Sequence, residues 1–357
     1  MPIAVQGAED WGEINDVDRR TRQPIEPMLF RRTLTVSIFV HRKVTLAHGG
    51  LYWFIIIRDW ITNGALMKLA TFIHNHQQGV GALSADGASL APLTQGGTPV
   101  TDVLALIRSG EATASLALGE PVALTDVRLL APIPRPSRNI FCVGKNYINH
   151  AQEFTKSGFD AGHANPADAI PESPIVFTKS PETVIADGEP VWAAEGVTEA
   201  LDYEAELAVV IGKGGRGISK ADALKHVFGY TILNDVTARD WQKRHKQWFL
   251  GKSFDTFAPM GPVLVTADDI DAANLDVRCW INGELRQEAN TRDLIFDIPT
   301  LIETISAGIT LHPGDIIATG TPEGVGIGFN PPRFLKVGDR MRIEISEIGV
   351  LENEVGA

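Results

Sequence analysis

A chain of 357 residues, 44% hydrophobic and 21% charged, is long enough to bury a sizeable core, and its composition fits neither a disordered protein nor a membrane bundle. Its formal net charge of -12 argues against nucleic acid or an anionic membrane as partner, because both recruit clustered Lys and Arg. The two cysteines, Cys142 and Cys279, are too few for a disulfide framework and lack metal-ligand spacing, which suits a reducing, cytoplasmic compartment.

Residues 1–66 differ from the rest, with an arginine-rich start, few turn residues and an apolar run over 51–57 closed by Arg58 and Asp59. That run is far shorter than the roughly 20 residues a membrane-spanning helix needs, and the N-terminus lacks the order of a signal peptide. The reading is that Met67 is the natural start and residues 1–66 an upstream extension. Beyond Met67 the pattern predicts a strand over 67–73, a turn over 75–79 and a returning strand over 80–83. With one predicted helix over 101–109, residues 67–130 make a small α+β domain. The prolines of Ala131-Pro-Ile-Pro-Arg-Pro-Ser137 favour an extended connector, which places the domain boundary there. Over 131–357, short strands set off by Gly, Pro and Asp outnumber two helix-like segments, 220–230 and 298–307. That spacing predicts a β-rich roll or barrel.

Within this β-rich part, residues 141–154 read as strand, glycine turn and helix, with Asn146 as the expected cap. His150 and Glu153 stand three apart and share a helical face, so the carboxylate can orient the imidazole as a general base. The same spacing describes a surface ion pair. In Leu201-Asp-Tyr-Glu-Ala-Glu-Leu-Ala-Val-Val-Ile211, strand alternation puts Glu204 and Glu206 on one face, about 6–7 Å apart. Adjacent carboxylates on an apolar strand repel and desolvate each other unless a cation lies between them. A hard divalent ion such as Mg2+ meets that need, while a solvated edge strand suits the spacing equally. Asp235, closing another apolar strand, adds a third acid, although alone it fits a turn or cap. Lys252 and Thr321 lie in polar, turn-rich stretches and are candidate anchors for a substrate carboxylate or oxyanion.

Other motifs carry less. Gly251-Lys-Ser253 is not a phosphate loop, because Lys246 stands where its first glycine belongs. Residues 212–217 have dinucleotide-loop spacing, but the preceding strand carries two acids that would repel a pyrophosphate. His74 and His76 flank a turn and are not assigned to a metal.

Together the segments Val143-Gly-Lys-Asn-Tyr147 with His150, Asp202-Tyr-Glu-Ala-Glu206, Asn234-Asp-Val-Thr-Ala-Arg-Asp240, Gly251-Lys-Ser-Phe-Asp255 with Ala258-Pro-Met-Gly-Pro262, and Thr319-Gly-Thr-Pro-Glu-Gly-Val-Gly326 resemble the fumarylacetoacetate hydrolase family, from about residue 67 to the C-terminus. The resemblance implies a mixed β-roll catalytic domain behind the small N-terminal α+β domain, and a homodimer. It also implies Mg2+ or Mn2+, with Ca2+ as a further candidate, held by Glu204, Glu206 and Asp235. By the same resemblance His150 and Glu153 lie on a lid that orders over substrate, with the insert 157–171 as part of it. Lys252 joins them in catalysis, and Lys145, Tyr147, Arg239, Gln242 and Thr321 bind substrate. Lys145 departs from the arginine or leucine of many members, keeping charge but losing the bidentate fork. The implied reaction is hydrolysis of a C–C bond in a small 2,4-dioxo acid, acylpyruvate or fumarylacetoacetate-like, by water that His150 activates, in aromatic compound catabolism. Oxaloacetate decarboxylation, or isomerisation or hydration of a 2-hydroxyhepta-2,4-diene-1,7-dioate-type acid, needs the same metal site. A binding protein that had kept only the fold would be marked by loss of one of these acids or of the His-Glu pair.

Overall fold

The computed structural model describes residues 67–110, 115–159 and 169–357; the extension expected over 1–66 and most of the insert 157–171 lie outside the described residues. The chain opens with the hairpin β1 (Lys68–His74) and β2 (Gln77–Leu83), turning at Asn75 and His76, and continues through β3 (Ser89–Gln95). Helix α1 (Val103–Ser109) starts where the Asp102 side chain accepts the Leu104 N–H at 2.9 Å and stops at Gly110 in the left-handed region. Then follow β4 (Ile140–Gly144), α2 (Ile148–Lys156), β5 (Ile175–Lys179), β6 (Leu201–Asp202), β7 (Ala205–Ile211), β8 (Val227–Asn234), α3 (Arg239–His245) and α4 (Phe249–Lys252). The last elements are β9 (Ala258–Thr266), β10 (Asp276–Ile281), β11 (Glu284–Asn290), α5 (Ile298–Ser306), β12 (Ile316–Ala318), β13 (Arg340–Ile345) and β14 (Gly349–Gly356).

One large mixed sheet runs β3-β2-β1-β9-β8-β7-β12-β4-β5. Its β4–β12 pair is parallel, with Ile317 opposite Phe141, and the other pairs on this path are antiparallel. The β1–β9 pairing, Lys68 opposite Val265, joins the first hairpin to the strands that carry the acids. A second sheet runs β14-β13-β10-β11. With five α-helices among the described residues, the fold is the β-rich α+β arrangement expected. None of the described helices is long and apolar enough to cross a membrane.

Strand β7 shows how the cores are divided. Every residue of it is buried. Ala205, Leu207, Val209 and Ile211 join the core shared with Val277, Cys279 and Ile343 of the second sheet. Ala208 and Val210 join the other core, with Val103, Leu104 and Ile107 around α1. Full burial of an aliphatic side chain contributes roughly 1.5–3 kcal/mol, so both faces of β7 hold it in place.

Two expectations are corrected. Residues 220–230 form no α-helix: a short 3-10 turn, Ala223–His226, leads straight into β8, whose β-branched and aromatic residues pair with both β7 and β9. Asn146 does not cap α2; Tyr147 holds that place without a side-chain bond. The Asn146 amide instead donates to the carbonyls of Phe296 at 3.0 Å and Thr319 at 2.8 Å, and its oxygen accepts the Phe296 N–H at 2.8 Å.

Candidate active site

The antiparallel register of β7 and β8 sets Glu206 opposite Leu233 and Ala205 opposite Asn234, and the Asp235 N–H continues it to the Glu204 carbonyl at 2.8 Å. Residues directly opposite share a face, so Glu204, Glu206 and Asp235 converge. All three are buried, and one carboxylate oxygen from each lies within 4.8 Å of the others. Neighbouring amides hold the frame: Asn234 Oδ1 accepts the Glu204 N–H at 3.0 Å, and Glu206 Oε2 accepts the Gly320 N–H at 2.8 Å.

Three buried cations face these acids. Lys252 Nζ, at the end of α4, donates to Glu204 Oε2 at 2.7 Å and Asp235 Oδ2 at 2.8 Å. Lys179 Nζ, at the end of β5, donates to Asp235 Oδ1 at 2.7 Å, to the Val236 carbonyl at 3.0 Å and to the Lys252 carbonyl. Arg239 Nη1 meets Glu204 Oε1 at 2.7 Å and its Nε meets Asp202 Oδ2 at 2.9 Å, while its buried Nη2 has no hydrogen-bond partner. α4 approaches α3 this closely because residue 251 is glycine; a Cβ there would lie 2.6 Å from the Gln242 nitrogen and 2.8 Å from the Ala238 carbonyl.

Charge divides unevenly among the acids. Burial alone would push the Glu204 carboxyl up, but Lys252 and Arg239 outweigh it and hold it at about 2. Burial, then the charges of Asp235 and Glu204, push the Glu206 carboxyl well above the usual carboxylate range. Lys252 runs against its burial, because Asp235 and Glu204 keep it an ammonium. The Lys252 charge and the Gly320 N–H pull the Glu206 carboxyl back only in part. Oxygen ligands lie about 2.0–2.6 Å from a Mg2+ or Ca2+ ion, so two of them are separated by at most about 4–5 Å. The all-oxygen donor set and its spacing fit such an ion.

A narrow cavity opens at Glu204, with Lys145, His150, Arg239, Gln242, Lys252 and Thr321 as its other polar lining and Phe154, Phe177 and Trp248 as apolar walls. Of the residues expected to bind substrate, Lys145, Arg239, Gln242 and Thr321 thus meet in one space. Tyr147 is not part of that lining; it is buried, and its backbone bridges to Leu294. Lys145 sits in left-handed backbone with φ 55°, a conformation that costs a non-glycine residue about 1–2 kcal/mol. His150 Nδ1 lies 3.2 Å from Glu153 Oε2, which leaves Nε2 for the cavity, and Glu153 Oε1 accepts the Gly324 N–H at 3.0 Å.

Sequence reasoning missed Lys179, Asp202 and Gln287. Asp202 accepts the N–H groups of Gly326 at 2.6 Å and Ile327 at 3.1 Å besides Arg239. Gln287 donates to Thr321 Oγ1 at 2.8 Å and accepts the Ala205 N–H at 3.1 Å. The available signals were an acid at the head of the Asp202-Tyr-Glu-Ala-Glu206 motif and a lysine ending the apolar run Ile175-Val-Phe-Thr-Lys179.

The chain is similar to several known proteins. Residues 139–356 match the family described as fumarylacetoacetate (FAA) hydrolase, C-terminal. An oxaloacetate tautomerase of Bacillus subtilis, YisK, is 58% identical over 235 residues, covering 66% of this chain and 75% of that protein. Among solved structures, a fumarylacetoacetate hydrolase from Exiguobacterium antarcticum is 40% identical with a TM-score of 0.69, covering 82% of this chain and 99% of that one. A 2-hydroxyhepta-2,4-diene-1,7-dioate isomerase from Mycobacterium marinum is 34% identical with a TM-score of 0.63, covering 81% and 98%.

Proposed function

Because the chain belongs to the fumarylacetoacetate hydrolase family of enzymes, we propose that it is a metal-dependent tautomerase that interconverts the enol and keto forms of oxaloacetate or a close 2-oxo dicarboxylate. The observation that carries this reading is a small cavity lined by Lys145, Arg239, Lys252 and the His150 imidazole together; a wall of basic side chains suits an anionic acid. Likeness to the Bacillus subtilis tautomerase supports the substrate class.

In this reading Glu204, Glu206 and Asp235 hold Mg2+ or Mn2+, with Ca2+ as a further candidate. A divalent ion there supplies Lewis acidity that favours negative charge on the 2-oxo oxygen. Arg239, through its unpartnered Nη2, and Lys145, Gln242 and Thr321 bind the carboxylates. Lys252, kept an ammonium by its two acids, steadies the developing charge. His150, oriented by Glu153, carries the proton: one leaves the C2 hydroxyl and one is delivered to C3, with no net change in protons or electrons. Tyr147 acts by supporting the turn below Lys145. The reading also keeps a cytoplasmic homodimer and a catalytic domain from residue 131 behind the domain at 67–130.

A second reading is hydrolysis of a C–C bond in a 2,4-dioxo acid. The His150–Glu153 pair favours it, being equally suited to taking a proton from water, and so does likeness to the Exiguobacterium antarcticum hydrolase. The test is to follow loss of enol-oxaloacetate absorbance and release of pyruvate from acylpyruvate and oxaloacetate, with Mn2+, with chelator, and in His150→Ala and Glu204→Ala. Fast ketonisation lost in both variants supports the tautomerase. Pyruvate release from acylpyruvate without ketonisation replaces it with the hydrolase, and carbon dioxide with pyruvate from oxaloacetate replaces it with a decarboxylase.

A further inference from the structure

The loop after β12 ends in a short 3-10 turn, Gly326–Gly328. Gly328 is exposed and sits in this right-handed turn, where any residue fits and glycine is among the poorest choices. Neither core packing nor backbone strain accounts for glycine there. Glu153 does: a Cβ on residue 328 would lie 1.7 Å from Glu153 Oε1 and 2.2 Å from its Cδ. That carboxylate bridges two groups, accepting the Gly324 N–H through Oε1 at 3.0 Å and meeting His150 Nδ1 through Oε2 at 3.2 Å. A methyl group at 328 would be accommodated by swinging the carboxylate away, and both contacts would go with it. α2 lies on this loop through Phe154, which packs with Val325 and Ile327, so the bridge spans two elements that touch.

We propose that Gly328 is a positioning residue: by presenting no side chain it lets the Glu153 carboxylate join the loop to His150, and so sets the orientation of the imidazole in the cavity. The inference rests on the reading of His150 as the proton carrier. It makes the imidazole productive only while α2 is seated on the loop. The metal acids are on other strands, so the effect belongs to proton transfer and not to metal binding.

The experiment compares Gly328→Ala, Glu153→Ala and the double variant by rate of enol-oxaloacetate ketonisation, by Mn2+ affinity in calorimetry, and by 15N NMR of the His150 ring. A general acid-base group contributes about 10²–10⁴-fold. Gly328→Ala is expected to lose part of that, roughly 10–100-fold in kcat, with Mn2+ affinity within about twofold of the parent and an altered His150 tautomer signal. The double variant is expected to be no slower than Glu153→Ala, because the displaced carboxylate is already gone. Losses that multiply in the double variant, or Gly328→Ala with parental rate and ring signal, would overturn the proposal. Should Gly328→Ala fail to fold, the double variant carries the test against Glu153→Ala, and unequal rates or ring signals between those two would overturn the proposal. Full turnover in His150→Ala would end the functional reading instead, while the ring signal in Gly328→Ala would still decide the role of the glycine.

Discussion

Lys179 Nζ lies 2.7 Å from Asp235 Oδ1 with neither side chain exposed, so a buried ammonium fixes one oxygen of a carboxylate whose other oxygen faces Lys252. Removing one partner of such a pair leaves a buried charge under-compensated, at a cost of roughly 3–5 kcal/mol. Lys179→Met is expected to lower the unfolding free energy by that order in denaturant titration. Lys179→Arg, which keeps the charge but not the compact tripod of donors, is expected to fall between.

A divalent ion held by Glu204, Glu206 and Asp235 would compete with a proton on Glu206. Its carboxyl is pushed well above the ordinary 4.5 by burial and then by Asp235 and Glu204, so the native state binds this proton more tightly than the unfolded chain. The stability it contributes is complete below about 4.5 and is lost as pH rises through the native value. Glu204, held at about 2, has the opposite sign: its contribution is present above the ordinary 4.5 and lost as pH falls through about 2. Mn2+ affinity is therefore expected to fall as pH is lowered, with a proton released on binding, read by calorimetry in buffers of different ionisation enthalpy. Glu206→Gln should abolish that release.

Metal removal should show in stability as well as rate. An ion bound only by the folded state at 100 times its dissociation constant stabilises by about 2.7 kcal/mol. Chelator should lower the melting temperature of the parent protein accordingly, and Glu204→Ala should melt at the same temperature with and without Mn2+.

Arg239 divides its guanidinium between Glu204 and Asp202 and keeps one nitrogen unpartnered. An ammonium cannot reproduce that fork. Arg239→Lys is expected to raise KM for oxaloacetate on the order of tenfold or more, the cost of about 1.4 kcal/mol, in steady-state kinetics at saturating Mn2+.

How far this site shows in the sequence depends on the range of each contact. Glu204 and Glu206 share a face because a strand has a period of two, which is local and legible. Their convergence with Asp235 follows from the β7–β8 register, and the family motifs pointed to it where spacing could not. Lys179 stands 56 residues from Asp235, and the apolar run it ends hints at burial without pointing to its partner. Asn146 has a capping residue's chemistry, but the backbone of 296 and 319 claims its amide. Over 220–230 the helix-like pattern gave way because both edges of β8 found partners.

The two-sided burial of β7 bears on how such a protein diverges over time. Glu206 rides on a strand that two cores hold still, with Glu204 just before it and Asp235 just past the end of β8, whereas the cavity walls come largely from α2, α3, α4 and the loops beside them. Substitutions at the apolar walls Phe154, Phe177 and Trp248 can change which acid is accepted without removing a partner of these carboxylates. Lineages with this architecture are thereby free to explore new substrates while inheriting one ancestral chemistry.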